Sequence, residues 1–172
     1  MLNIIFAALL LFSCTDKKAV VAESPVQDVS GHNVMTQHGT TNHIKWTSSC
    51  MWSSASDSMT LEIVAEIEEG WHLYSQVLDS DEGPLPTIFT FEESTNYSIS
   101  GKVEESKSKN EYDENFAMNV RFFSNKAVFT QSVLRKSEAE FKFSGNVNYM
   151  VCNDEMCLPP TDVPLMINVG KK

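Results

Sequence analysis

From Ile44 onward, short runs rich in Val, Ile, Phe, Tyr, Trp and Thr recur, separated by Gly, Pro, Asn, Asp and Ser. In Met59-Thr-Leu61-Glu-Ile63-Val-Ala65-Glu-Ile67 the apolar residues fall on every second position, so an extended strand would bury one face. Phe141-Lys-Phe143-Ser repeats the alternation. The pattern predicts strands over residues 44–50, 59–67, 71–76, 86–91, 96–103, 116–123, 126–133, 140–151 and 163–169. Glu69-Gly70 and Ser124-Asn125 have the composition of tight hairpin turns. No long 3.6-residue period interrupts the series. The expected class is all-β, a sandwich or barrel of antiparallel strands. About 130 residues of such a fold bury a core without help from a disulfide.

The first part of the chain reads differently. Residues 1–13 carry no charged side chain, and the apolar run Ile4 to Phe12 is shorter than the roughly 20 residues a spanning helix needs. It fits the apolar stretch of a secretory signal, with the α-amino group as its only positive charge. Leu11-Phe12-Ser13-Cys14 resembles the lipobox of bacterial lipoproteins, in which the cysteine is lipidated and becomes the new N-terminus. An ordinary signal peptide ending near a cysteine is the alternative. Acyl chains on Cys14 would anchor the protein at about 0.8 kcal/mol per buried methylene. Thr15 to Asn42 is polar and without period, as in a flexible tether. The expected division is a signal at 1–13, lipid attachment and tether at 14–43, and a domain at 44–172. His32, His38 and His43 fall in or just after the tether and are read as solvated, not as a metal site.

The formal charge of −10 and the lack of a basic cluster exclude nucleic acid as a partner. A soluble, monomeric domain is expected. Trp46, Trp52 and Trp71 are expected in the core, as is Cys50. Two polar stretches, 79–86 and 104–115, are long enough to be functional loops, with a plain surface excursion as the alternative.

Export places the cysteines in an oxidising compartment. With Cys14 reserved for lipid, the simplest pairing joins Cys152 to Cys157 and leaves Cys50 free. Val147, Tyr149 and Val151 alternate into Cys152, Asn153 to Met156 has turn chemistry, and Pro159-Pro160 stops ordinary ladder pairing. A bridge flanking so short a turn closes a loop worth roughly 2 kcal/mol, little for a structural staple. The pair therefore reads as a surface-edge exchange disulfide. Asp154 and Glu155 disfavour a thiolate beside them, which points to a relay activated by its partner. Two other readings stay open. One is a binding module with an inert bridge. The other is a soft-metal site in which Met150, Cys152, Met156 and Cys157 hold Cu(I).

The run Val147-Asn-Tyr-Met-Val-Cys152-Asn-Asp-Glu-Met-Cys157-Leu-Pro-Pro160 resembles the N-terminal periplasmic domain of the thiol:disulfide interchange protein DsbD. Gly70-Trp-His-Leu-Tyr74-Ser-Gln76 and Asn110-Glu-Tyr-Asp113 resemble two further family segments. The resemblance, over residues 44 to 169, implies an immunoglobulin-like antiparallel β-sandwich. It implies an oxidoreductase that faces the periplasm and relays electrons from a membrane donor, through thioredoxin-like proteins, to exported thiol proteins. Cys157 would form the mixed disulfide and Cys152 would resolve it. Tyr112 would shield the pair, Glu111 would sit beside it, and Tyr74 and His72 would line the site. Exchange needs only a thiolate attacking sulfur, so no cofactor and no metal is expected. Four residues separate the cysteines, where some members have five. No thioredoxin-like domain precedes Lys172, so the electron source is expected to be a separate protein.

Overall fold

The computed structural model describes residues 31–53, 56–80 and 82–172. The signal segment and Cys14 lie outside the described residues, as does most of the expected tether.

Twelve strands form three antiparallel sheets. The strands are β1 (Gly31–Thr41), β2 (Ile44–Ser53), β3 (Ser58–Ile67), β4 (His72–Tyr74), β5 (Ile88–Phe91) and β6 (Tyr97–Glu105). They continue with β7 (Lys109–Asp113), β8 (Met118–Ser124), β9 (Lys126–Arg135), β10 (Phe141–Tyr149), β11 (Val151–Cys152) and β12 (Thr161–Val169). The sheet orders are β1-β2-β3-β9-β6, β12-β10-β5 and β11-β4-β8-β7. The all-β expectation holds, and each predicted strand overlaps an observed one, with ends moved by a few residues.

One main core draws on all three sheets. In β3 the expected alternation buries Met59, Leu61, Ile63, Ala65 and Ile67. Trp46 lies opposite Ala65, a large residue beside a small one. It meets Phe89, Phe129 and Tyr149 at ring-centroid distances of 6.3, 6.2 and 5.3 Å. Trp52 and Cys50 are buried as expected, and burial pushes the Cys50 thiol up to about 11. Gln131 and Arg135 interrupt the apolar face of β9, but both reach carbonyl acceptors. The Gln131 amide donates to Ser100 and Ser132 at 2.8 Å, and Arg135 donates to Glu138, Ala139 and Gly170.

The structure corrects four expectations. First, the chain is already a strand at Gly31, well before residue 44. β1 folds back on β2 through Asn42 and His43, both at positive φ (47° and 62°), the conformation a two-residue hairpin turn requires. β1 is an edge strand with one neighbour, so a polar sequence suffices there. His38 and His43 are accordingly not simply solvated. His38 bonds Ser48 Oγ at 2.6 Å, and His43 stacks on Trp71 at 4.0 Å and bonds Glu68 at 2.6 Å.

Second, Glu69-Gly70 and Ser124-Asn125 are not hairpins. Each carries the chain from one sheet to another, with Gly70 at φ 84° and Asn125 at φ 65°. Third, the 104–115 stretch is largely strand: β6 runs to Glu105, and β7 pairs antiparallel with β8. Fourth, the predicted 140–151 strand divides. β10 pairs with β12 and β5, whereas β11 crosses over to β4. At the crossing Tyr149, Met150, Val151 and Cys152 are buried in succession, because the chain changes sheets and each residue finds a covered side.

The Tyr149 hydroxyl donates to the Thr41 carbonyl at 2.6 Å, tying β10 to the β1–β2 hairpin. Tyr149→Phe is expected to destabilise the domain by about 1 kcal/mol, the usual net worth of such a bond. Urea unfolding measures it. An unchanged midpoint would mean that the hairpin does not lean on the domain in this way.

Candidate active site

The cysteines flank a turn built by Asn153. Its Oδ1 accepts the backbone N–H groups of Glu155 (2.9 Å) and Met156 (2.8 Å), and its own N–H donates to the Met156 carbonyl at 2.9 Å. Leu158 N–H donates to the Val151 carbonyl at 2.9 Å. The closed turn makes Cys152 and Cys157 an antiparallel bridge with Cα atoms 4.0 Å apart, and the two sulfurs are bonded. Their exposure is unequal. Cys152 is 0% exposed, whereas Cys157 is half-buried. Among the described residues β4 is the one named strand paired with β11, so the pair sits at a sheet edge. Only one of its sulfurs lies at the surface.

The sheet β11-β4-β8-β7 has two working faces, as strand alternation dictates. Val151, Leu73 and Phe123 turn into the main core. On the opposite face Tyr74, Val120, Met150 and Cys152 form a second, smaller core. Leu78, Phe116, Met118, Phe122 and Cys157 pack against it, partly buried. In register, Cys152 lies opposite His72, His72 opposite Ser124, and Tyr74 opposite Phe122.

Asp113, at the end of β7, organises this face. Its Oδ2 accepts the Tyr74 hydroxyl at 2.7 Å and lies 3.2 Å from His72 Nε2. Its Oδ1 accepts the backbone N–H groups of Asn115 (2.8 Å) and Phe116 (3.3 Å), which fixes the turn into β8. His72 Nε2 is also 3.0 Å from the Tyr74 oxygen. Burial works against the Asp113 charge, but the bonds from Tyr74 and from the turn outweigh it, and the carboxyl stays below its ordinary range. Burial lowers the His72 imidazole despite the pull of Asp113 and Asp154. Burial, together with the bond to Asp113, raises the Tyr74 phenol. The set at neutral pH is thus a carboxylate, a neutral imidazole and a phenol. One more bond joins this turn to the cysteines: Asn115 Nδ2 donates to the Asn153 carbonyl at 2.9 Å.

Of the residues singled out in sequence, His72 and Tyr74 therefore share a face with Cys152. Glu111 lies on β7 opposite Val120, and alternation puts it on that face with Lys109 and Asp113, at the exposed edge. Tyr112 has the other parity. It shares a side with Asn110, which reaches Asp79, and it is 62% exposed. Tyr112 borders an open depression together with His72, Glu111 and Asp113. Asp113, Asn115, Phe116 and Phe122 were not singled out as site residues. Asp113 two and three residues before Asn115 and Phe116 is the spacing of a side chain capping its own turn, and that was the available signal. Of the four sulfurs of the copper reading, those of Cys152 and Cys157 are bonded to each other, Met150 is buried in the small core and Met156 is 51% exposed. The open depression, of about 460 Å³, is bordered by Trp71, His72, Glu111, Tyr112, Asp113 and Asp154, the last of them two positions from Cys152 in sequence.

A family model described as the N-terminal part of the thiol:disulfide interchange protein DsbD matches residues 44–165. That span holds both cysteines and every residue of the site. No curated protein matches the chain significantly. Among solved structures, the chain is similar to the Neisseria meningitidis DsbD N-terminal domain in its reduced form. The identity is 16%, over 67% of this chain and 80% of that one, with a TM-score of 0.49. It is also similar to the N-terminal periplasmic domain of ScsB from Proteus mirabilis, at 13% identity and a TM-score of 0.55, over 79% of this chain. That match spans about half of the ScsB chain, 51%. At these identities the second likeness speaks for the fold. The family match over most of the chain, with a bonded cysteine pair seated in its site, shows that the protein belongs to the DsbD N-terminal family of thiol:disulfide exchange domains.

Proposed function

We propose that the chain relays electrons in the periplasm between a membrane donor and exported thiol proteins, with thioredoxin-like proteins as its docking partners. The observation that carries this reading is the unequal exposure of the two sulfurs. An incoming thiolate or disulfide reaches Cys157 and not Cys152. In the donating direction the reduced Cys157 thiolate attacks a partner disulfide, forming a mixed disulfide and expelling one partner thiolate. Cys152 then attacks Cys157, forms the intramolecular bridge and releases the second partner thiolate. Two electrons pass to the partner, and the domain is left oxidised.

Phe116, packed on the small core with Cys157, takes the covering role that the resemblance assigned to Tyr112. The turn that carries it is tied to the cysteine turn through Asn115, so a docking partner can lift cover and turn together. Phe116→Ala is expected to speed reduction of the pair by a small dithiol. Equal rates would move the cover elsewhere. Three sheets around a common core, with the likeness to the ScsB domain, support an immunoglobulin-like sandwich as the architecture. Lipidation of Cys14, with the residues before Gly31 as tether, would hold this domain at a membrane surface.

The test is direct. The reduced chain is mixed with an oxidised thioredoxin-like protein, and thiols are counted on both by alkylation. Loss of two thiols from this chain and gain of two on the partner is expected. A pair that stays oxidised under every physiological reductant, and whose removal costs only stability, would overturn the reading.

A further inference from the structure

Cys152 presents a proton problem. Its side chain is 0% exposed, so its thiol proton cannot pass straight to bulk water when the sulfur attacks. The proton must go to a group already in the site. The neighbours can be taken strand by strand. β8 offers Phe122 and Ser124, neither of them a base. β7 offers Lys109, held 5.9 Å over the Phe122 ring, Glu111 at the edge, and Asp113. The turns offer Glu114 and Asp154 at the rim of the depression. β4 offers Tyr74 and His72. Tyr74 already donates its one proton to Asp113, and Asp113 spends its lone pairs on four donors.

His72 differs from all of these in place and in chemistry. It is directly opposite Cys152 in antiparallel register. The two side chains therefore leave the sheet on the same face, with Cβ atoms about 4.5–5.5 Å apart. Its Nε2 is the nitrogen turned toward Tyr74 and Asp113. A carboxylate there selects the tautomer with the proton on Nε2, which leaves the lone pair on Nδ1. The arrangement is a base whose tautomer is fixed by an acid, set across one strand gap from a buried nucleophile.

We propose that His72 takes the thiol proton of Cys152 as that sulfur attacks Cys157 in the mixed disulfide. The proposal rests on the exchange assignment above. In the step the Cys152 S–H bond breaks and its proton moves to His72 Nδ1. The Cys152–Cys157 bond forms, the bond from Cys157 to the partner breaks, and the partner sulfur leaves as a thiolate. His72 then returns its proton to solvent through its partly exposed edge. In the reverse direction it reprotonates Cys152. Asp113 is a positioning residue for this proton transfer. Burial keeps His72 neutral at pH 7, the state in which it can accept.

The experiment uses the reduced full chain and dithiobis-nitrobenzoate, whose released thiolate is coloured. Attack by Cys157 releases one equivalent, and resolution by Cys152 releases a second. The wild-type second phase is expected to fall as pH drops below the ordinary imidazole range of about 6.5. In His72→Gln the side-chain amide still donates to Asp113 but offers no base. The ratio of second-phase to first-phase rate is expected to drop about a hundredfold at pH 7. A His72→Gln second phase with wild-type rate and pH profile would overturn the proposal. So would a wild-type second phase whose pH profile stays flat all the way down to the acid unfolding of the chain, which needs no variant at all. A wild-type chain that shows neither phase would overturn the exchange assignment itself, so the two failures are distinguishable.

Discussion

Cys152→Ser is expected to leave the domain able to begin exchange and unable to finish it. Cys157 still attacks a partner disulfide, but no second sulfur can resolve the product, so the mixed disulfide accumulates to about one equivalent. Cys157→Ser is expected to do the opposite. The remaining thiol is the fully buried one, and no partner becomes linked to it. In both variants turnover is lost entirely, whereas the fold is kept and stability falls by no more than the bridge contributes. The bridge closes a short loop, and its entropic worth is roughly 2 kcal/mol. The hydrogen bonds of Asn153 hold the turn without it. Non-reducing electrophoresis after mixing with an oxidised partner, beside urea unfolding of each variant, measures both effects. Equal trapping by the two single variants would show that exposure does not set the order of attack. Loss of folding in either would make the bridge a staple after all.

The parts of the molecule that were legible in sequence share one property: a local pattern is enough to specify them. β3 alternates cleanly because it buries one face against the main core, and period two survives in the residue order. The cysteine turn was legible because Asn153 makes its bonds to residues two and three positions on. The corners were half legible. Gly70 and Asn125 announce positive φ, but nothing local says whether the next strand returns to the same sheet or leaves for another. Both leave. β1 was missed because an edge strand with one neighbour can be polar, and its evidence is the pairing with β2.

The site was legible only where it lies on the cysteine strand and on β4. Its third component, Asp113, comes from β7, 41 residues along the chain from His72, and parity decides which face each β7 residue joins. An offset of one position turns a side chain to the other face. Tyr112 was singled out through the family resemblance, and its neighbour Asp113 has the parity that meets Tyr74 and His72. Register between β7 and β8 settles this, and register is a long-range fact. The same holds for the acid–imidazole pair. Each residue lies in a segment that resembles the family, but nothing local pairs the two segments; the pairing follows from β4 and β7 both flanking β8.

Asp113→Ala is the second large effect expected. The change removes one acceptor from four donors at once. The Tyr74 hydroxyl, on a residue with no exposure, is left without its carboxylate partner, and the Asn115–Phe116 turn loses both side-chain bonds. An unmet buried donor costs about 1–3 kcal/mol, and bonds to a charged group are worth more than neutral ones, so a total loss of about 3 kcal/mol is expected. Acid should expose the same interaction in the wild type. The folded-state carboxyl titrates below its unfolded value, so its contribution is complete above about pH 4 and fades as pH falls through the lowered folded value. His72 adds an earlier limb of the same sign. Its folded value is also lowered, so the unfolded chain takes up the proton first, and stability declines as pH drops below about 6.5. Urea unfolding at pH 7, 5 and 3 separates the two limbs. In Asp113→Ala the lowest-pH limb should flatten, because its carboxyl is gone. In His72→Gln the earlier limb should shrink to the part that His38, also lowered by burial, contributes, while the lowest one remains. An Asp113→Ala chain within about 0.5 kcal/mol of wild type at pH 7, which is the scatter of ordinary surface changes, would mean that the carboxylate does not hold this face together.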